Sequence, residues 1–153
     1  METIAKTTTL NISSPAFASK GFIPAKYTCE GENVNPALHV ENIPQSAKSL
    51  TLIVEDPDAP GGTFDHWIVW NIRPFAMIIE DVVPGVEGKN SFGKTNYRGP
   101  CPPTGTHRYF FKVYALDKLL DVKAGAGKME VEAAMQGHIL AQGEIIGMYK
   151  KSK

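Results

Sequence analysis

Fourteen glycines and eleven prolines are spread through 153 residues, and they leave few stretches long enough for a helix. Each proline removes a backbone donor and each glycine permits a sharp reversal, so a chain punctuated this densely folds as short segments joined by turns. The segments between are rich in β-branched and aromatic residues, which suit a pleated, half-buried surface. Residues 8–12, 37–40, 49–55, 67–72, 108–116 and 144–149 are the candidate strands. Leu50 to Val54 is nearly continuous in apolar character, as expected of a strand covered on both faces. The expectation is a mainly β protein. It is an antiparallel β-sandwich with a helix in the C-terminal region and short helices elsewhere, residues 1–153 forming a single domain.

The helix is expected over 128–142. Val131, Ala134, Met135, His138, Ile139 and Gln142 share one helical face, Glu130 and Glu132 lie where the helix dipole favours acids, and Gly143 follows as a stop. This reading makes His138 a core histidine. The stretch 75–103 shows little periodicity and reads as a long loop, a kind of segment that often carries function.

Charge and composition narrow the function. Lys plus Arg and Asp plus Glu each number 16, so the formal net charge is zero, which argues against a nucleic-acid partner. The basic end Lys150-Lys151-Ser152-Lys153 reads as a solvated tail. No apolar run approaches the roughly 20 residues of a membrane span. Residues 1–7 lack the apolar centre of a secretory signal, so the cytoplasm is the expected compartment. Two cysteines, Cys29 and Cys101, lack the CxxC spacing of a zinc or thioredoxin-like site. A reducing cytosol leaves both as thiols, with a single Cys29–Cys101 bridge as the alternative.

The residues suited to chemistry lie at segment ends. Asp56-Pro57-Asp58-Ala59-Pro60 follows the apolar run ending at Glu55, and its prolines fix both carboxylates in place before Gly61-Gly62 reverses the chain. Asp58 reads as an acceptor for turn N–H groups, and Asp56, at the strand mouth, as a candidate for a site. His66 opens the run Trp67-Ile68-Val69-Trp70, and His107 opens the run through Tyr109-Phe110-Phe111. His39 has no distinctive context. Three kinds of work are open to these groups. A metal site finds no HxH or HExxH spacing. Hydrolysis would pair Asp56 with His66, or Cys101 with His107, without a Gly-x-Ser-x-Gly elbow. An anion pocket would combine imidazole N–H groups, a tyrosine hydroxyl and backbone N–H groups of a Gly/Pro loop.

Asp56-Pro57-Asp58-Ala59-Pro60, His66 before an apolar strand, Gly99-Pro100-Cys101-Pro102-Pro103 and Gly105-Thr106-His107-Arg108-Tyr109 together resemble the phosphatidylethanolamine-binding protein family, also called Raf kinase inhibitor proteins, in its bacterial and archaeal branch. The resemblance implies a β-sandwich with a small cavity for phosphate-bearing or other small anions. Asp56, Pro60, His66, Pro103, His107 and Tyr109 would line it, and Gly99 and Cys101 would frame its loop. Cys101 stands where many relatives have glycine, and Phe64 where some eukaryotic relatives have tryptophan. The resemblance further implies a binding module that needs no cofactor or metal and is not an enzyme. A protein partner such as a kinase or protease, and a homodimer, are the associations it suggests. Asp56 would orient an imidazole, and anion affinity would rise as pH falls if a protonated imidazole is the donor.

Overall fold

The computed structural model describes residues 8–152, so the readings of residues 1–7 and of Lys153 lie outside the described residues. Two sheets form. The larger contains β1 (Thr8–Thr9), β9 (Ile139–Tyr149), β8 (His107–Leu116), β4 (Ser49–Asp56), β5 (Phe64–Ile72) and β7 (Val86–Glu87) in that spatial order. The smaller contains β2 (Asn11–Ser13), β3 (Leu38–Glu41) and β6 (Met77–Ile78). The pairs are antiparallel except β1 with β9, where Thr8 lies opposite Ala141 in parallel register.

Strand β4 explains its own composition. Leu50, Leu52 and Val54 face one core, together with Trp67, Val69, Phe111, Val113 and, from the smaller sheet, Leu38, Val40 and Ile78. Ile53 points the other way, with Ile68, Trp70, Leu116, Val131 and Met135. A period of two thus feeds two apolar layers, and every residue of β4 is buried. Burying side chains of this size contributes about 1.5–3 kcal/mol each.

The helix is shorter than expected. It covers Lys128–Met135, and Gly137 (φ 80°) takes the left-handed conformation that ends it. The apolar spacing continues past this stop because β9 begins at Ile139, so a strand was read as helix. Gly143 lies inside β9, where a side chain would meet the Leu10 carbonyl oxygen at 2.1 Å. His138 is correspondingly not a core histidine. It is half-exposed, with Nδ1 2.9 Å from the Asp117 carboxylate. The stretch 75–103 is also more ordered than a plain loop, since β6 and β7 lie in it and join one sheet each. Among the described residues, no helix is long and apolar enough to cross a membrane.

Candidate functional site

Antiparallel pairing brings the distant motifs together. The end of β4 lies beside the starts of β5 and β8, with Asp56 opposite Phe64 and Glu55 opposite Phe110. Asp56 continues the face of Val54, and Tyr109 the face of Phe111, so both extend the inter-sheet core toward its open edge. His66 needs an irregularity to join them. In strict alternation it would follow Ile68 and Trp70 to the other side of the sheet. The β4–β5 register shifts between Val54/Trp67 and Glu55/Asp65, leaving His66 as the extra residue. Such a bulge re-aims a side chain, and here the imidazole turns toward Asp56 and Tyr109.

The result is a cavity of about 330 Å³ with Asp56, His66, His107 and Tyr109 among its walls, and Ala59, Pro60, Phe64, Phe92, Pro102 and Pro103 supplying apolar surface. Among the described residues, no Lys or Arg side chain lines it. Among the described residues, no group of three or more His, Cys, Asp and Glu side chains gathers in a metal-binding arrangement.

The carboxylate and both imidazoles are held from behind. Asp56 Oδ2 lies 2.6 Å from His107 Nδ1, and Asp56 Oδ1 accepts from the Asp58 backbone N–H at 2.7 Å. His66 Nδ1 lies 2.6 Å from the Arg98 carbonyl oxygen. Because a carbonyl only accepts, that nitrogen carries hydrogen. Both imidazoles therefore commit Nδ1 to the protein, which leaves Nε2 as the edge available to a guest. Burial pushes the His66 pKa down, opposed in part by the Arg98 carbonyl and the Asp56 charge. The Tyr109 side chain is fully buried, and its hydroxyl, set against the Asp56 carboxylate and the Cys101 backbone, makes no well-formed hydrogen bond among the described residues. Burial, then the Asp56 charge, push its pKa up, so the phenol keeps its proton.

A family profile described as phosphatidylethanolamine-binding protein matches residues 13–150. The chain belongs to that family. A UPF0098 protein of Pyrococcus horikoshii is 48% identical over 153 residues, covering 93% of this chain and 77% of its own. A UPF0098 protein of Methanothermobacter thermautotrophicus is 46% identical, covering 93% of this chain and 99% of its own. The crystal structure of a putative phosphatidylethanolamine-binding protein homologue from Chlamydia trachomatis superposes with a TM-score of 0.91 at 40% identity, covering 95% of this chain and 100% of that one.

Within the framework of this phosphatidylethanolamine-binding protein fold, the residues singled out from sequence take distinct places. Asp56, Pro60, His66, Cys101, Pro103, His107 and Tyr109 line the cavity. Gly99 does not. It sits behind the wall, donating its N–H to Asn33 Oδ1 at 2.7 Å, and a side chain there would come within 2.0 Å of the Tyr27 carbonyl oxygen. Asp58 also stays outside. Its carboxylate accepts from the Arg108 backbone N–H and Nε at 2.9 Å and from Nη2 at 2.8 Å. These bonds from Arg108 hold its pKa down at about 2.

The expectation of two free thiols is corrected. Cys29 and Cys101 form a disulfide, and the same two segments share a hydrogen bond from the Cys29 N–H to the Pro100 carbonyl at 3.1 Å. A 72-residue separation hides this proximity from any local reading of the sequence. The bridge also removes Cys101 as a thiol nucleophile for His107 in this form. Phe92 was missed altogether. Its ring packs edge-on against Phe64 and His66, at centroid distances of 4.8 and 5.6 Å, and nothing in the run Ser91-Phe92-Gly93 signals this. His39, in β3, does not line the cavity.

Proposed function

We propose that this chain is a binding module for small oxyanions, phosphate or a phosphate-bearing headgroup, and not an enzyme. One observation carries the reading: two imidazole edges and a buried tyrosine hydroxyl, with no well-formed hydrogen bond among the described residues, share a single small cavity beside a Gly/Pro loop. A guest oxygen would accept from Tyr109, from imidazole N–H where one is protonated, and from loop N–H groups. Charge-assisted bonds contribute about 1.5–3 kcal/mol each, and the ordering and desolvation of a small ligand offset much of this, so affinity is modest. The polar groups sit at the bottom of apolar walls, an arrangement common to small-molecule sites.

Isothermal titration of phosphoethanolamine into wild type and Tyr109→Phe tests the reading. Removing the hydroxyl is expected to weaken binding about tenfold. Equal affinities would overturn it. A hydrolase built on the Asp56–His107 pair is the rival, and it requires turnover of activated esters that His107→Ala abolishes. Modulation of a protein partner and homodimer formation complete the proposal. Family membership supports both, and size-exclusion chromatography with and without phosphate checks the dimer.

A further inference from the structure

Which oxyanion fits is decided by where hydrogens sit on the cavity's own groups. His66 donates through Nδ1 to the Arg98 carbonyl, so its neutral ring shows the cavity a lone pair at Nε2. Its surroundings favour that neutral ring. His66 is 4% exposed, and the rings of Phe64, Phe92 and Tyr109 surround its imidazole at centroid distances of 5.3, 5.6 and 5.4 Å. The charged groups facing it are few. Asp56 comes from β4, tied to His107 of β8, and Asp65 on its own strand is paired with Lys128 at 2.8 Å. Arg98 turns its guanidinium over the Phe92 ring, 5.7 Å from the centroid. His107, with Nδ1 committed to Asp56, likewise has only Nε2 left for a guest. Tyr109, two residues along β8 from His107, supplies an O–H donor.

A cavity with two imidazole Nε2 edges, one tyrosine donor, one carboxylate and, among the described residues, no lining Lys or Arg suits a guest that brings its own proton. We propose that it selects phosphates carrying a free P–OH, inorganic phosphate or a phosphomonoester, over oxyanions without one, such as sulfate or the phosphodiester of an intact phospholipid. The P–OH donates to His66 Nε2 while an unprotonated oxygen accepts from the Tyr109 hydroxyl. A guest without that hydrogen sets oxygen lone pairs against the imidazole lone pair and leaves a buried acceptor unsatisfied. The selection rests on the oxyanion-binding reading and narrows it, since a diester lacks the group that His66 accepts from.

The test is isothermal titration of the wild-type protein at pH 6.5 and constant ionic strength with inorganic phosphate, phosphoethanolamine, sulfate and dimethyl phosphate. Inorganic phosphate keeps a P–OH throughout this pH range, and a phosphomonoester, with a second pKa near ~6, keeps one on a sizeable fraction of molecules. Phosphate and phosphoethanolamine are expected to bind about tenfold more tightly than sulfate and dimethyl phosphate. A preference below threefold, with phosphate still binding, would overturn the selection and leave the oxyanion site standing. Absence of binding by all four would overturn both.

Discussion

The Asp56 carboxylate uses both oxygens inside the protein: Oδ2 lies 2.6 Å from His107 Nδ1 and Oδ1 takes the Asp58 N–H at 2.7 Å. One side chain thus fixes the ring of a cavity histidine and the shape of the turn leaving β4. This makes Asp56 a positioning residue, whatever the cavity holds. Pro57 and Pro60, both within the turn, limit the ways in which the backbone can compensate if one bond is lost.

Asp56→Ala tests that double role. Alanine offers no acceptor, so the turn N–H loses its partner, whereas the His107 ring can move its hydrogen to Nε2. Leaving one buried donor unsatisfied costs about 1–3 kcal/mol. Urea unfolding at pH 7.5 is expected to show a loss of this size with an unchanged m-value. A variant as stable as wild type would mean that Asp56 does not hold the turn and the ring together.

The depressed pKa of His66 makes a pH prediction. The unfolded chain protonates this imidazole near its ordinary value of ~6.5, while the folded protein resists protonation until lower pH. The contribution to stability is therefore fully present above the unfolded value and is lost as pH falls from there through the folded value. Unfolding free energies measured at pH 7.5, 6.5 and 5.5 should decline more steeply for wild type than for His66→Gln, which has no titrating ring. Parallel slopes would show that burial does not keep His66 neutral.

Much of this architecture was legible in the sequence because periodicity and punctuation are local signals. The apolar face pattern of β4 and the aromatic run of β8 both announce themselves within ten residues. The motifs at Asp56–Pro60 and His107–Tyr109 mark strand ends for the same reason. What stayed hidden depends on register and on contacts between distant segments. The bulge that turns His66 into the cavity is a property of the β4–β5 pairing, not of either strand alone. The helix was overextended because its apolar spacing runs on into β9, and only the left-handed Gly137 separates the two. Phe92 joins the cavity by a loop path with no periodic trace.

The Cys29–Cys101 bridge is the part of the cavity most exposed to its chemical surroundings. Cys101 lies in the cavity wall, whereas Cys29 is on an exposed segment that also meets Pro100 through a backbone hydrogen bond. The bridge closes a long loop, with partners 72 residues apart, and the chain-entropy account gives such a crosslink about 4 kcal/mol. An ordinary reducing cytosol would open it, so its survival depends on the redox setting in which the protein works. Cys29→Ser/Cys101→Ser is expected to unfold at lower urea than wild type, and adding a dithiol reductant should move wild type toward the variant without affecting the variant itself. The wall retains the Gly99–Asn33 bond at 2.7 Å and the Tyr97 hydroxyl donating to the Tyr27 carbonyl at 2.7 Å, so the serine variant is expected to keep its fold. Thiol counting on denatured, unreduced protein checks the starting point: two reactive thiols per chain would mean that the bridge is not formed, and an unchanged urea midpoint in the variant would mean that it contributes nothing.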